Sequence, residues 1–166
     1  ILPSLVIINF ATTPGGVLTA LLLIDIGLTF GVPVGIMGQL GTVGSIVGVI
    51  TSLVMGALSI RFKYKSLLML GLTLGCISTL GYGLAPSFAV MLAVSALGAL
   101  GGGMIGPMVL TLVGEHLSLE KRAGAFGWIF AGTALSYVIG APAIAFIAGL
   151  GGWRTAYLGY VLPIYL

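Results

Sequence analysis

Side chains that commonly carry enzyme chemistry are scarce and widely separated in this sequence. It contains a single histidine, His116, a single cysteine, Cys76, and three acidic residues. No pair of carboxylates falls within an apolar segment, and neither a His/Cys cluster with metal-ligand spacing nor a glycine-rich phosphate loop is present. We therefore predict that the protein is not an enzyme and that it carries no metal and no cofactor.

The polar side chains inside the apolar segments are neutral, which makes them the candidates for contact with a solute. Together with two methionines they form the predicted cavity lining: Asn9, Thr13, Gln39, Met104, Met108, Ser136 and Tyr137. For these hydroxyl groups, and for that of Ser95 in another apolar segment, an interhelical hydrogen bond worth about 0.6 kcal/mol is the simpler interpretation. For the amides of Asn9 and Gln39, cavity lining and structural bonding are equally supported, because an amide is costly to bury without a partner.

The overall composition indicates a membrane protein. Hydrophobic residues make up 59% of the sequence and charged residues only 5%, whereas about a quarter of the residues in a soluble domain are charged. Six basic and three acidic side chains are too few to cover a soluble globule of 166 residues. Many of the 28 glycines lie inside the long apolar runs, where small residues allow helices to approach closely in lipid.

Charged residues and helix breakers divide the chain into segments that can cross a bilayer, which takes about 20 apolar residues. Residues 27–33 and 83–87 are interpreted as loops because glycine and proline punctuate them. The prediction is an all-α membrane protein, a bundle of six transmembrane helices at about 2–22, 34–58, 66–84, 87–113, 124–148 and 155–166. The sixth helix is expected to be cut short at Leu166, and the chain to be part of a longer protein.

The basic residues predict the direction of the bundle. Three of them lie in the loop 61–65 after the second predicted helix, and two lie in the loop 115–122 after the fourth. An even number of helices separates these loops, so they share one side of the membrane, and the opposite side carries only Arg154. The positive-inside rule then predicts that both loops and the N-terminus are cytoplasmic, in a multi-pass protein of the plasma membrane.

A stripe of small residues follows one face of the fifth predicted helix. Gly132, Ser136 and Gly140 are spaced four residues apart, and Pro142 follows them. The plain interpretation of the stripe is tight packing against another helix. Because proline has no N–H group to donate, Pro142 also predicts a bend in this helix, as in helices that flank a transport cavity.

Several short motifs follow one another in an informative order. They are Gly56, Leu58, Arg61 and Lys65 after the second helix, Glu115 and Arg122 after the fourth, Gly132, Gly140 and Pro142 in the fifth, and Gly152-Trp153-Arg154 before the sixth. Together they resemble the N-terminal half of a Major Facilitator Superfamily transporter over nearly the whole chain. Ser59 stands where that family usually has an aspartate.

The resemblance implies a 3+3 inverted repeat, with helices 1, 2, 4 and 5 lining a central cavity and helices 3 and 6 packed outside. It also implies a cytoplasmic latch in which Arg61 pairs with Glu115. Many proton-coupled members of the family have an arginine in the fourth helix where this sequence has Ser95. Proton coupling through this half is therefore not supported.

These observations lead to the hypothesis that the chain is one half of a transporter for a small solute. Transport would be secondary active or facilitative and would proceed by alternating access. The expected partners are the lipid bilayer, a C-terminal half or a second copy of the chain, and the solute, but not nucleic acid. An alternative is a non-conducting structural or assembly subunit of a larger membrane complex, which the lack of intramembrane charge slightly favours.

Overall fold

The computed structural model describes residues 6–7, 10, 14–161 and 163 of the chain, and the regular structure of this part is entirely helical. The helices are α1 (Pro14–Leu21), α2 (Leu23–Phe30), α3 (Val34–Met37), α4 (Gln39–Leu58), α5 (Tyr64–Leu84), α6 (Phe88–His116), α7 (Leu119–Gly151) and α8 (Trp153–Ala156), followed by a π-helical segment, Tyr157–Val161. The prediction of an all-α protein is confirmed.

Four helical segments of the described residues are long and apolar enough to cross a membrane. They are Val34–Leu58, Tyr64–Leu84, Phe88–His116 and Leu119–Gly151. Each overlaps one predicted helix, at 34–58, 66–84, 87–113 and 124–148 respectively. The first and sixth predicted helices, at 2–22 and 155–166, fall partly on residues outside the described ranges.

The prediction of a loop over residues 115–122 is wrong. Helix α6 continues to His116 and α7 begins at Leu119, which leaves only Leu117 and Ser118 between them. A 33-residue helix is about 50 Å long at 1.5 Å per residue, more than the ~30 Å of hydrocarbon, so it is long enough to carry its charged first turn outside a bilayer. Glu120 in that turn also complements the positive end of the helix dipole.

Three other predicted loops have different bounds in the structure. The loop predicted at 83–87 covers only residues 85–87, because α5 continues to Leu84. Tyr64 begins α5, so Lys65 lies in the first turn of that helix and the loop after α4 covers residues 59–63. The predicted loop at 27–33 is wrong in its first part, because α2 continues to Phe30. Helix α2 ends there because the next residue, Gly31, adopts a left-handed conformation with a φ of 64°, which glycine reaches without steric cost.

Glycine contacts bring the backbones of α4 and α5 against α6. A Cβ placed on Gly101 would lie 2.6 Å from the carbonyl oxygen of Gly71 in α5. On the other side of α6, a Cβ placed on Gly103 would lie 2.7 Å from the carbonyl oxygen of Gly48 in α4. The α4–α6 contact is reinforced by Ser52, whose hydroxyl donates to the Gly103 carbonyl at 3.2 Å. Helix α6 is thus held between two neighbours at backbone distance.

The small-residue stripe of α7 faces the helical residues 6, 7 and 10 that precede α1, which we call the first helical segment. A Cβ placed on Gly132 would lie 3.0 Å from Cγ1 of Val6. The Ser136 hydroxyl, which is fully buried, donates to the carbonyl oxygen of Phe10 at 3.0 Å. Both contacts agree with the interpretation of the stripe as a packing surface.

Buried apolar side chains form two clusters at opposite ends of the bundle. The first core cluster lies around the start of α4, the end of α5 and the α7–α8 junction, and it includes Met37 and Trp153. The second core cluster packs the ends of α4 and α6 against the starts of α5 and α7, and it includes Met55 and Val113. These clusters hold the helices together on either side of the bundle's middle.

Candidate functional site

A cavity of about 480 Å³ lies inside the bundle. Met37 of the first core cluster and Ile105 of the second core cluster both border it. The described residues that line it come from α1 to α6 and from the π-helical segment, and most of the lining surface is apolar. Several lining residues, such as Gly41 and Gly102, are exposed, so the cavity opens to the surface of the bundle. Helix α5, the third predicted helix, forms part of its wall.

One part of the wall is a cluster of hydroxyl groups around two stacked tyrosines. The rings of Tyr82 and Tyr157 are nearly parallel, at an angle of 8°, with their centroids 4.9 Å apart. The Tyr157 hydroxyl shares a 2.6 Å hydrogen bond with Oγ1 of Thr19. The Tyr82 hydroxyl interacts with the hydroxyls of Thr19 and Ser95. A buried tyrosine needs such partners for its hydroxyl, and α1, α5, α6 and the π-helical segment supply them jointly.

Another part of the wall is formed by glycines with open space where a side chain would begin. A Cβ placed on Gly41, Gly44 or Gly102 would meet no atom within 4 Å. At Gly98, by contrast, a Cβ would lie 2.5 Å from the Ser78 hydroxyl oxygen, so packing requires glycine there. The open positions leave room inside the cavity, because any larger side chain would occupy it.

The described lining of the cavity is electrically neutral. It contains no acidic and no basic side chain. Throughout the described residues, every buried side-chain nitrogen or oxygen atom has a hydrogen-bond partner. Because bringing an ion into such a site carries a desolvation cost of several kcal/mol, this cavity is suited to a neutral solute held mainly by apolar contact.

Trp153 and Arg154 form hydrogen bonds and ring contacts that stabilise one end of the cavity wall. Nε1 of Trp153 donates to Oγ1 of Thr29 in α2 at 3.0 Å, and its ring meets Tyr157 edge-on at 6.3 Å. Nη2 of Arg154 donates to the carbonyl oxygen of Ala85 at 2.9 Å, and the guanidinium lies 4.9 Å from the centre of the Trp153 ring. These contacts tie the ends of α2 and α5 to α8, directly before Tyr157.

Two of the predicted cavity residues lie in the hydrophobic core instead. Met104 and Met108 are 5% and 1% exposed, and both belong to the second core cluster. Ile105, their neighbour in α6, points to the cavity. Ser136 is buried against the first helical segment, where its hydroxyl forms an interhelical hydrogen bond. None of the three lines the cavity observed inside the bundle.

The other predicted cavity residues lie on the surface or outside the described part. Gln39 and Tyr137 are exposed, Tyr137 by 53%. Asn9 and Thr13 lie outside the described residues. Their contact with a solute between two halves of a transporter stays a prediction.

Sequence reasoning missed the two tyrosines and Thr19. Tyr82 and Tyr157 occur in apolar segments, and a tyrosine in such a segment must find a partner for its hydroxyl. This requirement could have identified both tyrosines as candidates from the sequence. The identity of the partner, however, depends on contacts between residues far apart in the chain. Ser95 was noted as a neutral polar residue, and the structure places it in the cavity wall.

The residues of the predicted cytoplasmic latch have several different environments. Arg61 and Lys65 are exposed, and Glu115 has the Tyr64 hydroxyl as its described neighbour. Arg122 caps α6, since its Nε donates to the Leu117 carbonyl at 3.0 Å and its Nη2 donates to the Gly114 carbonyl. Pairing between Arg61 and Glu115 is not present among the described contacts and stays a prediction for another conformation.

Two further groups of motif residues were predicted from the sequence. Gly56 is exposed, with no atom within 4 Å of an added Cβ, and Leu58 packs against the second core cluster. Gly140 is buried, and Pro142 lies on an exposed part of α7, which is helical on both sides of it. The bend at Pro142 stays a prediction.

Comparison with known proteins gives consistent matches. The protein-family model of the Major Facilitator Superfamily matches residues 5–165. Multidrug resistance protein 2 of Bacillus subtilis (strain 168) is 32% identical over 115 residues, which are 69% of this chain and 29% of that protein. The uncharacterized MFS-type transporter YbcL of the same organism is 26% identical over 153 residues, which are 92% of this chain and 39% of that protein. The chain thus spans less than half the length of these curated relatives.

Proposed function

Because this chain belongs to the Major Facilitator Superfamily, we propose that it forms one half of a transporter for a small solute. The match of the family over residues 5–165 is the observation that carries this proposal. The helices long enough to cross a bilayer agree with a multi-pass membrane protein. A C-terminal half, or a second copy of this chain, would supply the remainder, since the relatives are more than twice as long as the aligned region.

The proposed mechanism is alternating access, in which two halves rock against each other around the solute. Close backbone contacts support it, because they make this half a body that moves as a unit. Helix α6 contacts α4 at Gly103 and Gly48, and α7 contacts the first helical segment at Gly132 and Val6. Packed helices of this kind shift between discrete arrangements more readily than they deform.

The proposed orientation places the 59–63 loop and the α6–α7 junction in the cytoplasm of a cell bounded by the plasma membrane. Five of the six basic residues lie at these positions or in the first helical turn that follows them. Arg154 lies at the other end of the bundle, near the end of α5. We further propose that Arg61 pairs with Glu115 when the cytoplasmic side closes, an exposed ion pair worth about 0–1 kcal/mol that biases the equilibrium.

The proposed solute is amphipathic and uncharged. The neutral, mostly apolar cavity supports this class. One relative is named a multidrug resistance protein, and we extend to this chain only the proposal that its solute is a small drug-like molecule. The lack of described acidic or basic groups in the cavity also argues against an ion as the transported species.

Flux measurements on the full-length protein in proteoliposomes test the proposed function. A panel of amphipathic fluorescent solutes should cross faster than in protein-free vesicles, and the Asn9→Ala or Gln39→Ala variant should slow the flux. Leu150→Ala is the control, because Leu150 is 75% exposed on the surface of α7. Flux equal to that of protein-free vesicles for every solute would instead support a structural subunit.

A further inference from the structure

The cavity inside this half has the properties of a binding site in its own right. Its volume of about 480 Å³ falls within the ~300–1,000 Å³ that is usual for small-molecule sites. Its lining also has the usual character, with predominantly apolar surface and a few polar groups at one place. The described wall comes entirely from this half. It includes α5 and the π-helical segment, which belong to the helices that the resemblance places outside a central cavity.

We propose that this cavity binds a neutral, planar aromatic solute within the half-bundle itself. The proposal rests on the proposed transport function and deepens it, since it names both the class of solute and its position. The solute would pack against Tyr82, whose ring stacks on the buried Tyr157, and would lay its flat face on the glycine positions.

The tyrosine pair accounts for the preference for an aromatic ring. Tyr82 and Tyr157 already adopt the offset parallel arrangement that aromatic rings favour with one another. Their positions are held from several sides, by Thr19 at the Tyr157 hydroxyl and by Trp153 at the Tyr157 ring. Tyr157 is 1% exposed, so it supports Tyr82 from behind, and the partly exposed Tyr82 is the ring that a solute reaches. A tyrosine held in place in this way binds a further ring without first having to become ordered.

The glycines account for the preference for a flat molecule. Gly41 and Gly44 in α4 and Gly102 in α6 present bare backbone to the cavity. No atom lies within 4 Å of the place where their side chains would begin. A planar ring can therefore approach both helices closely, whereas a side chain at any of these positions would occupy the same space.

The charge of the lining accounts for the preference for a neutral solute. The described lining residues include no carboxylate that would compensate a cation. The buried hydroxyls of the described residues already have hydrogen-bond partners, so a solute needs no strong polar group to satisfy them. The face of a tyrosine does attract cations, which makes discrimination by charge the decisive measurement.

The test compares two naphthalene probes that differ in charge, using the full-length protein in lipid nanodiscs with empty nanodiscs as the background. The probes are 1-naphthol, which is neutral at pH 7, and N,N,N-trimethyl-1-naphthylammonium. Equilibrium dialysis measures the Kd of each. We expect 1-naphthol to bind at least tenfold more tightly than the cation. Equal or tighter binding of the cation would overturn the preference for a neutral solute.

Matched variants locate the bound probe. Gly102→Leu should weaken naphthol binding at least tenfold, whereas Gly114→Leu should leave it unchanged. Both glycines lie in α6 and have no atom within 4 Å of an added Cβ, but only Gly102 lines the cavity. Gly44→Leu, in α4, repeats the test from a second helix, and thermal unfolding confirms that each variant is folded. Binding that survives both cavity-filling variants would overturn the proposed site.

Flux measured on the same samples separates this inference from the proposed function. Loss of naphthol binding in Gly102→Leu and Gly44→Leu, in a protein that moves no solute, would leave the site standing and refute transport. If the protein transports other solutes and naphthol binding is the same in both variants as in the wild type, the proposed site is refuted and the proposed transport function is not.

Discussion

The neighbouring glycines Gly101 and Gly102 should respond in opposite ways to the same substitution. A Cβ placed on Gly101 would lie 2.6 Å from the Gly71 carbonyl oxygen and 3.1 Å from the backbone nitrogen of Gly75. These are backbone atoms, so the contact is relieved only if α5 and α6 move apart. A Cβ placed on Gly102 would meet nothing within 4 Å.

The expected change in the free energy of unfolding is the sum of two contributions. Replacing glycine by alanine inside a helix stabilises it by about 0.8–1 kcal/mol, and this term is common to both variants. Overpacking a well-packed contact costs about 1–3 kcal/mol, and this term applies only to Gly101→Ala. We therefore expect Gly102→Ala to be more stable than the wild type. Gly101→Ala should be less stable than Gly102→Ala by about 1–3 kcal/mol, because the common term cancels.

Denaturant unfolding of the purified full-length protein in detergent provides the measurement, with the helical circular dichroism signal as the probe. Gly114→Ala serves as a control, because it lies in α6 with open space around an added Cβ. It should resemble Gly102→Ala. Equal stability of the Gly101→Ala and Gly102→Ala variants would show that α5 and α6 do not meet at Gly101, and it would refute the packing argument.

Three other substitutions test separate contacts. Arg154→Ala removes the hydrogen bond to the Ala85 carbonyl and should lower the free energy of unfolding by about 1 kcal/mol, with Arg154→Lys restoring part of the loss in thermal unfolding. Arg122→Gln removes two bonds to the carbonyls at the end of α6 and should speed hydrogen exchange there; unchanged exchange would argue against the cap. Ser136→Ala removes the bond to the Phe10 carbonyl and should cost about 0.6 kcal/mol in denaturant unfolding, whereas an unchanged midpoint would place the hydroxyl elsewhere.

The positions of the helices were largely predictable from the sequence. Charged residues are few, and four of the predicted segments that they and the helix breakers delimit coincide with long helices. Asp25 is the exception, because it lies inside α2 and marks no boundary. The exact ends were less predictable, because a helix does not stop where the apolar sequence stops. Glu120 and Lys121 lie in the first turn of α7, where they were expected in a loop.

The candidate site was only partly predictable. Ser95 and Ser136 were both noted as polar groups in apolar helices, but one lines the cavity and the other packs against the first helical segment. Periodicity says which residues share a face of one helix and not which neighbour that face meets. The choice between packing and solute contact therefore depends on the arrangement of the other helices.

The sequence by itself determined that the protein lies in a lipid bilayer, that it is helical and that it belongs to its family. Lipid offers no hydrogen-bond partner to the backbone, so backbone polar groups must be satisfied within the protein. Uninterrupted apolar runs of about 20 residues, in a chain with only six basic and three acidic residues, predict that α-helices do this. Only the tertiary structure decided that Tyr82 in α5 stacks on Tyr157 in the π-helical segment and that Thr19 in α1 joins them. These residues come from distant parts of the chain, and α5 approaches the π-helical segment closely beside them, where a Cβ placed on Gly83 would lie 2.6 Å from Cδ2 of Leu158.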